Sequence, residues 1–338
     1  SAPSKVFVST DGRLVVTDTG NNRVLIWNTL PRSNSAPDVV VGQPDLLSRF
    51  ANQQLAAPTA STLSHPTAAV IANNLLIVVD QGNNRVLVWN SVPAKAGVPA
   101  NVELGQAATP VVSTGSSSSS SSGSSGASSS SSSSSGSSSS GASSSSGGTV
   151  GGGTNSATVT CTGNSGTNGY CFTTAAAAVD TLASGSTTTF LLGLNNPTDV
   201  WSDGYRLLVT DTGNNRVLYW QQIPFVNNTL YSYVLGQTQP GLGAQGAGNQ
   251  GLNAPWGVYS DGSSVFVADT GNNRVMVYNS FPAKNGTPAT GLFGQASFKN
   301  TAANDGNQTG NSGNVAGNDT FNTPTGVFAA QSGELYVS

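Results

Sequence analysis

The chain has 338 residues and a formal net charge of -3, with 8% charged and 36% hydrophobic residues. Its longest apolar runs, such as residues 75–79, are too short to cross a bilayer, so no membrane insertion is expected. There is no basic excess to neutralise phosphates, which argues against a nucleic-acid partner, and one His with two Cys leaves little material for a metal site.

The first unit opens at Pro3, reaches Asp18-Thr-Gly-Asn-Asn-Arg23-Val, places Trp27 nine positions after the Asp and closes on Gly42-Gln43. The second repeats this with Pro66, Asp80, Arg85, Trp89 and Gly105-Gln106. The third has Pro197, Asp211, Arg216, Trp220 and Gly236-Gln237, and the fourth Pro255, Asp269, Arg274, Tyr278 and Gly294-Gln295. A fifth opening at Pro324 lets residues 322–338 align without gaps on residues 1–17. Such self-similarity is the mark of a repeat architecture.

Each unit reads as four short strands. In the third these are 198–202, 206–210, 216–220 and 231–235, with a turn at Asp203-Gly204 and a tight connection over 211–215. The runs are rich in Val, Leu, Tyr and Trp and bounded by Gly, Asn, Asp and Pro, which is the strand-and-hairpin pattern. Residues 175–182 form the one passable helical turn. Four-stranded antiparallel sheets repeated along a chain predict an all-β fold, a β-propeller of radially packed blades. Four full blades and a partial one are visible, with five or six expected in the complete ring. The implied organisation is 1–106 for blades 1 and 2, 107–148 for a Ser/Gly-rich insert, 149–194 for a small second insert and 195–338 for blades 3, 4 and the partial fifth.

Within the first insert, 26 of the 34 residues from 113 to 146 are Ser. With no apolar side chains to offset ordering entropy, the tract reads as a flexible linker or as an O-glycosylated stretch, with Ser116, Ser128, Ser137 and Ser143 as representative acceptors. In the second insert, 157–162 and 170–174 read as a hairpin that sets Cys161 against Cys171. A disulfide there closes a short loop and requires an oxidising compartment; free thiols in a cytosolic protein are the alternative. Asn227, Asn285, Asn307 and Asn318 head N-glycosylation sequons, at about the frequency an Asn-rich chain gives by chance.

The recurring Asp-x-Gly-Asn-Asn-Arg-Val cores and Gly-Gln closures resemble NHL-repeat β-propellers, in particular the secreted bacterial kind. The resemblance covers about 1–106 and 195–338. It implies a propeller, commonly six-bladed, and does not require the long insert. Because the motif stands in every blade, its Asp and Arg (Asp18, Arg23, Asp80, Arg85, Asp211, Arg216, Asp269, Arg274) read as structural, the Arg pairing bidentately with an Asp. The motif glycines Gly20, Gly82, Gly213 and Gly271 are expected at positive φ, and the Asn pairs suit left-handed geometry. The aromatics Trp27, Trp89, Trp220 and Tyr278 are expected to pack between blades.

A catalytic residue must break the repeat. His65 does, standing where the other units have Ala2, Asn196, Ala254 and Thr323. One His with Glu103 and Glu334 supplies no multi-His metal set, and there is no nucleophile elbow or phosphate loop, so neither enzyme activity nor a cofactor is expected. The resulting expectation is a secreted, non-enzymatic propeller at the cell surface or outside it, structural or adhesive, carrying covalent glycans. The alternatives are a glycan- or protein-binding propeller using the loops 44–63, 238–253 and 296–322, and, behind that, a metal-dependent lyase or hydrolase. The two-strand fifth unit leaves an open edge. Either the sequence continues beyond Ser338, or that edge pairs head-to-tail with another copy in a filament.

Overall fold

The computed structural model describes residues 2–106, 179–181, 189–191, 193–239, 243–305, 316–330 and 332–338. The predicted hairpins form, because β-branched and aromatic runs are separated by residues that turn readily. Blade 1 comprises β1 (Lys5–Val8), β2 (Leu14–Asp18), β3 (Arg23–Trp27) and β4 (Val39–Val41). Blade 2 comprises β5 (Pro66–Ala72), β6 (Leu75–Asp80), β7 (Arg85–Trp89) and β8 (Val102–Leu104). After a two-stranded sheet of β9 (Val179–Thr181) and β10 (Thr189–Leu191), blade 3 follows as β11 (Pro197–Ser202), β12 (Leu207–Asp211), β13 (Arg216–Trp220) and β14 (Tyr233–Leu235). Blade 4 is β15 (Val258–Ser260), β16 (Val265–Asp269), β17 (Arg274–Tyr278) and β18 (Gly291–Phe293), and the last sheet is β19 (Val327–Ala329) with β20 (Leu335–Val337).

Every blade is an antiparallel meander in chain order, and the protein is an all-β β-propeller. Successive blades meet through their innermost strands, β1 on β5, β5 on β11, β11 on β15 and β15 on β19. Residues 175–182 were expected to be helical; Val179–Thr181 is instead a strand, its β-branched Val and Thr pairing with β10. Cys161, Cys171, Asn307 and the Ser-rich tract with Ser116, Ser128, Ser137 and Ser143 lie outside the described residues.

The period-two alternation gives each blade two apolar faces. The trailing face of one packs on the leading face of the next. Val15, Val24 and Ile26 of blade 1 meet Ile71, Leu76 and Trp89 of blade 2. Val70, Ile77 and Val88 of blade 2 meet Val200, Leu218 and Trp220 of blade 3. Leu208, Val217 and Tyr219 of blade 3 meet Val267, Met276 and Tyr278 of blade 4. The strand-three aromatic is thus always on the leading face. Trp89, Trp220 and Tyr278 are buried there, and Trp27, on the leading face of the first described blade, is half-buried.

Candidate functional site

The repeated motif is where the charged residues converge. In each blade the Asp ends the second strand and its Arg begins the third, in register across the hairpin. Between them runs a single 3-10 turn, after which the second Asn (Asn22, Asn84, Asn215 or Asn273) takes a left-handed conformation with φ of 52–54°. The motif glycines do not have positive φ, contrary to expectation. At Gly82, Gly213 and Gly271 the reason for glycine is close approach. A Cβ would stand 2.7–2.8 Å from the carbonyl oxygen of Ser64, Asn195 or Asn253, the atom to which the glycine N–H donates.

The carboxylate works with both oxygens. In blade 3, Asp211 Oδ2 accepts from Arg216 Nε at 2.7 Å and Asn214 Nδ2 at 2.9 Å, while Oδ1 accepts the Asn195 N–H at 2.7 Å. Asp80 and Asp269 repeat the pattern with Ser64 and Asn253. Asp18 makes the same two Oδ2 contacts, to Arg23 and Asn21. In blade 4 a single Nε–Oδ2 bond stands where a two-pronged pairing was expected. The second oxygen is committed to the backbone entering the blade, and the rest of the guanidinium reaches the loop joining one blade to the next. Arg274 donates to the carbonyls of Phe298, Gly248 and Gly251, and Arg85 to those of Thr59 and Thr62. These pairs are fully buried in blades 2, 3 and 4, and partly exposed in blade 1. Burial pushes the carboxyls of Asp80, Asp211 and Asp269 above the usual range, against the pull of their Arg and amide donors.

Three further contacts recur without having been assigned from the sequence. The left-handed Asn is a clamp between blades. Its Oδ1 accepts the N–H of the residue before the next Pro: His65 from Asn22, Asn196 from Asn84, Ala254 from Asn215 and Thr323 from Asn273, all at 2.7–2.8 Å. Those four residues all have φ of 44–51°. His65, singled out as breaking the repeat, thus occupies a position whose backbone is the same in the second to fifth units, with an exposed side chain. The Gln of each Gly-Gln closure donates Nε2 to a motif Asn carbonyl. The preceding Gly42, Gly105, Gly236 and Gly294 have φ of 88–92° and lie against Leu63, Leu194, Leu252 and Phe321. Each of those plugs stands three residues before a Pro, so a Leu/Phe-x-x-Pro signal was present in the sequence.

One buried acid does break the symmetry. Glu103 occupies the middle of β8, where blades 1, 3 and 4 have Val40, Val234 and Leu292. It is fully buried and accepts from Arg85 Nη1 at 3.1 Å, while its other oxygen has no hydrogen-bond partner among the described residues. Burial pushes its carboxyl up to about 7, the Arg85 charge opposing. Arg85 thereby serves two acids, Asp80 and Glu103. A second asymmetric pair, Lys5 with Asp199, ties β1 to β11, and Asp199 also accepts the Val258 N–H at 3.1 Å.

The sequon residues Asn227 and Asn285 are half-buried in the outer loops. Asn227 Oδ1 accepts the Glu103 N–H at 2.9 Å, and Asn285 Oδ1 the Val234 N–H at 3.0 Å. Asn318 is exposed. A shallow recess of about 190 Å³ between blades 3, 4 and the last sheet is lined by Trp201, Asp203, Tyr259, Ser260, Asp261 and Ala329. Among the described residues, no three His, Cys, Asp or Glu side chains gather as a metal-binding group, and no helix is long and apolar enough to cross a membrane.

Residues 1–27, the first three strands of blade 1, match the family described as NHL repeat. Blade 1 opens with an NHL repeat. The same motif at the same structural positions in blades 2, 3 and 4 extends NHL-type repeats through the described propeller. No curated protein matches the chain. Among solved structures it is similar to virginiamycin B lyase from Staphylococcus aureus, at 10% identity and a TM-score of 0.36 over 99% of this chain and 69% of that one. It is also similar to a streptogramin B lyase (12%, 0.33, covering 100% and 90%) and to the computationally designed Ika8 protein (10%, 0.36, covering 98% and 79%). At these values the likeness carries nothing about chemistry, and the NHL reading rests on the motif and its geometry.

Proposed function

We propose that this NHL-type propeller is an exported, non-enzymatic structural module. One observation carries the reading: the charged residues that recur with the repeat are spent on architecture. Four of the chain's eight Arg stand in the motif, and each bonds the Asp of its own hairpin through Nε. Asp211 and Asp269 in turn hold the backbone that enters their blades. A set so engaged is a poor source of acid, base or ligand, since freeing one member leaves a buried charge unpaired. Low charge, the Ser-rich tract and the Cys161/Cys171 pair support export and covalent glycans, O-linked on the tract and N-linked at exposed sequons such as Asn318. Fractionation of native material tests the reading. Carbohydrate-bearing protein in a sedimenting extracellular fraction is expected; soluble, unmodified protein that turns over a substrate contradicts it.

A second reading, a glycan- or protein-binding propeller, is favoured by the recess at Trp201 and Tyr259, where aromatic faces stand beside Asp261. Saturable glycan binding that Trp201→Ala removes would favour it over the first.

A further inference from the structure

An aromatic-Ser-Asp-Gly segment occurs twice in the chain, at 201–204 in blade 3 and at 259–262 in blade 4. Blades 1 and 2 and the last sheet have Phe7-Val8, Val70-Ile71 and Phe328-Ala329 where it begins. Both copies line the recess of about 190 Å³. Its walls belong to blades 3 and 4, each of which has a described sheet on both sides, and Ala329 completes it. The two turns are built alike. Ser202 Oγ and Ser260 Oγ each accept the N–H of the turn glycine at 3.0 Å. Asp203 Oδ1 accepts the N–H groups of Tyr205 and Arg206, and Asp261 Oδ1 those of Ser263 and Ser264, all at 2.6–2.9 Å. Each turn thus uses one carboxylate oxygen and leaves the other. In blade 3 the other oxygen holds a cation of the chain itself. Asp203 Oδ2 takes Arg206 Nε at 2.8 Å and Nη2 at 2.7 Å, and the guanidinium lies 3.8 Å from the centre of the Phe281 ring and 5.9 Å from that of Trp201. In blade 4 the same register sets Ser264 where blade 3 has Arg206. Asp261 is exposed and makes no ion pair among the described residues. No Lys, Arg or His lines the recess.

We propose that this recess binds a guanidinium group from outside the chain. The inference rests on the second, binding reading of the recess and names its ligand. Blade 3 supplies the template: a planar cation held on a carboxylate and against aromatic rings. Blade 4 offers the carboxylate of Asp261 beside Tyr259 and Trp201, with a Ser in place of the cation. Charge selects the ligand, because Arg206 offsets Asp203 and leaves Asp261 as the net charge of the recess. Size selects it as well. The volume is well below the roughly 300 Å³ at which pockets for drug-sized ligands begin, so it has room for one side-chain group and not for a sugar chain.

NMR-detected titration of the full chain tests it. The probes are N-acetyl-arginine amide, N-acetyl-citrulline amide as its uncharged isostere, and a neutral disaccharide. Saturable binding of the arginine probe is expected, about tenfold or more tighter than the citrulline probe, and weaker as salt rises. Two variants locate the site. Asp261→Asn keeps the Oδ1 acceptor of the turn, so the unfolding midpoint should hold while binding falls about tenfold or more. Ser264→Arg gives blade 4 the internal cation that blade 3 has and should abolish binding. An arginine-containing tripeptide that binds more tightly than the amide assigns the group to a partner protein; one that binds no more tightly assigns it to a small guanidinium compound. Arginine binding that survives both variants overturns this choice of site. Equal binding of the arginine and citrulline probes overturns the guanidinium assignment. Disaccharide binding that Trp201→Ala removes, with no arginine binding, overturns that assignment and keeps the binding reading of the recess. Binding of no probe overturns both.

Discussion

Blades 1 and 3 carry the same motif, Asp-Thr-Gly-Asn-Asn-Arg-Val-Leu, and fold it into the same 3-10 turn with the same Nε–Oδ2 bond. They differ in what surrounds it. The side chains of Arg216 and Asp211 are fully buried, while those of Arg23 and Asp18 remain 16% and 12% exposed. Among the described residues, blade 3 has a neighbouring blade on each face and blade 1 has one on its trailing face. The local geometry therefore belongs to the eight-residue sequence, and the energy that depends on it belongs to the neighbours. A surface ion pair is worth little, whereas removing one partner of a buried pair strands a desolvated charge.

The comparison is broken most severely by stranding such a charge. Arg274→Ala leaves Asp269 buried and should cost about 3–5 kcal/mol, read as a fall in the urea midpoint; Arg23→Ala should cost about 1 kcal/mol. Next come the plugs under the closing glycines. Leu252 is fully buried against Gly236, and Leu252→Ala should cost about 3 kcal/mol. Phe321, half-buried against Gly294, should lose less than a core Phe does.

Glu103 sharpens the contrast through pH. Its carboxyl titrates at about 7 in the folded chain against an ordinary 4.5, because burial opposes the charged form. Between those values the folded state binds more protons than the unfolded state, so this group's contribution falls as pH rises and is lowest above about 7. The shift corresponds to about 3 kcal/mol. Glu103→Gln should flatten that part of the decline of stability from pH 5 to pH 8; an unchanged slope would mean that Glu103 does not titrate there. Blade 1 has Val40 at this position and contributes no such slope.

The smallest effect is expected at the strand-three aromatic of the first blade, Trp27. Trp27 is half-buried, with its Nε1–H given to the Ser35 carbonyl, and Trp27→Ala should cost less than Trp89→Ala, where the ring is buried against blade 1.

The strands and blade order were legible because period-two alternation and a four-fold motif are local signals. Within the motif, residue type alone does not reveal why glycine is required. Close approach of a carbonyl demands glycine as firmly as positive φ does, and only the packed structure shows which one operates at Gly213. The inter-blade role of Asn215 was hidden because its partner, the Ala254 N–H, lies 39 residues away. Glu103 stood out only once β8 was aligned on the other fourth strands, where its neighbours are Val and Leu.

The repeated Asp ties the third strand of its blade to the backbone that enters it. Paired urea unfolding of Asp211→Ala and Asp18→Ala tests it most directly. The account predicts a loss of about 3–5 kcal/mol for the first and about 1 kcal/mol for the second. Equal, negligible losses at both positions would contradict it.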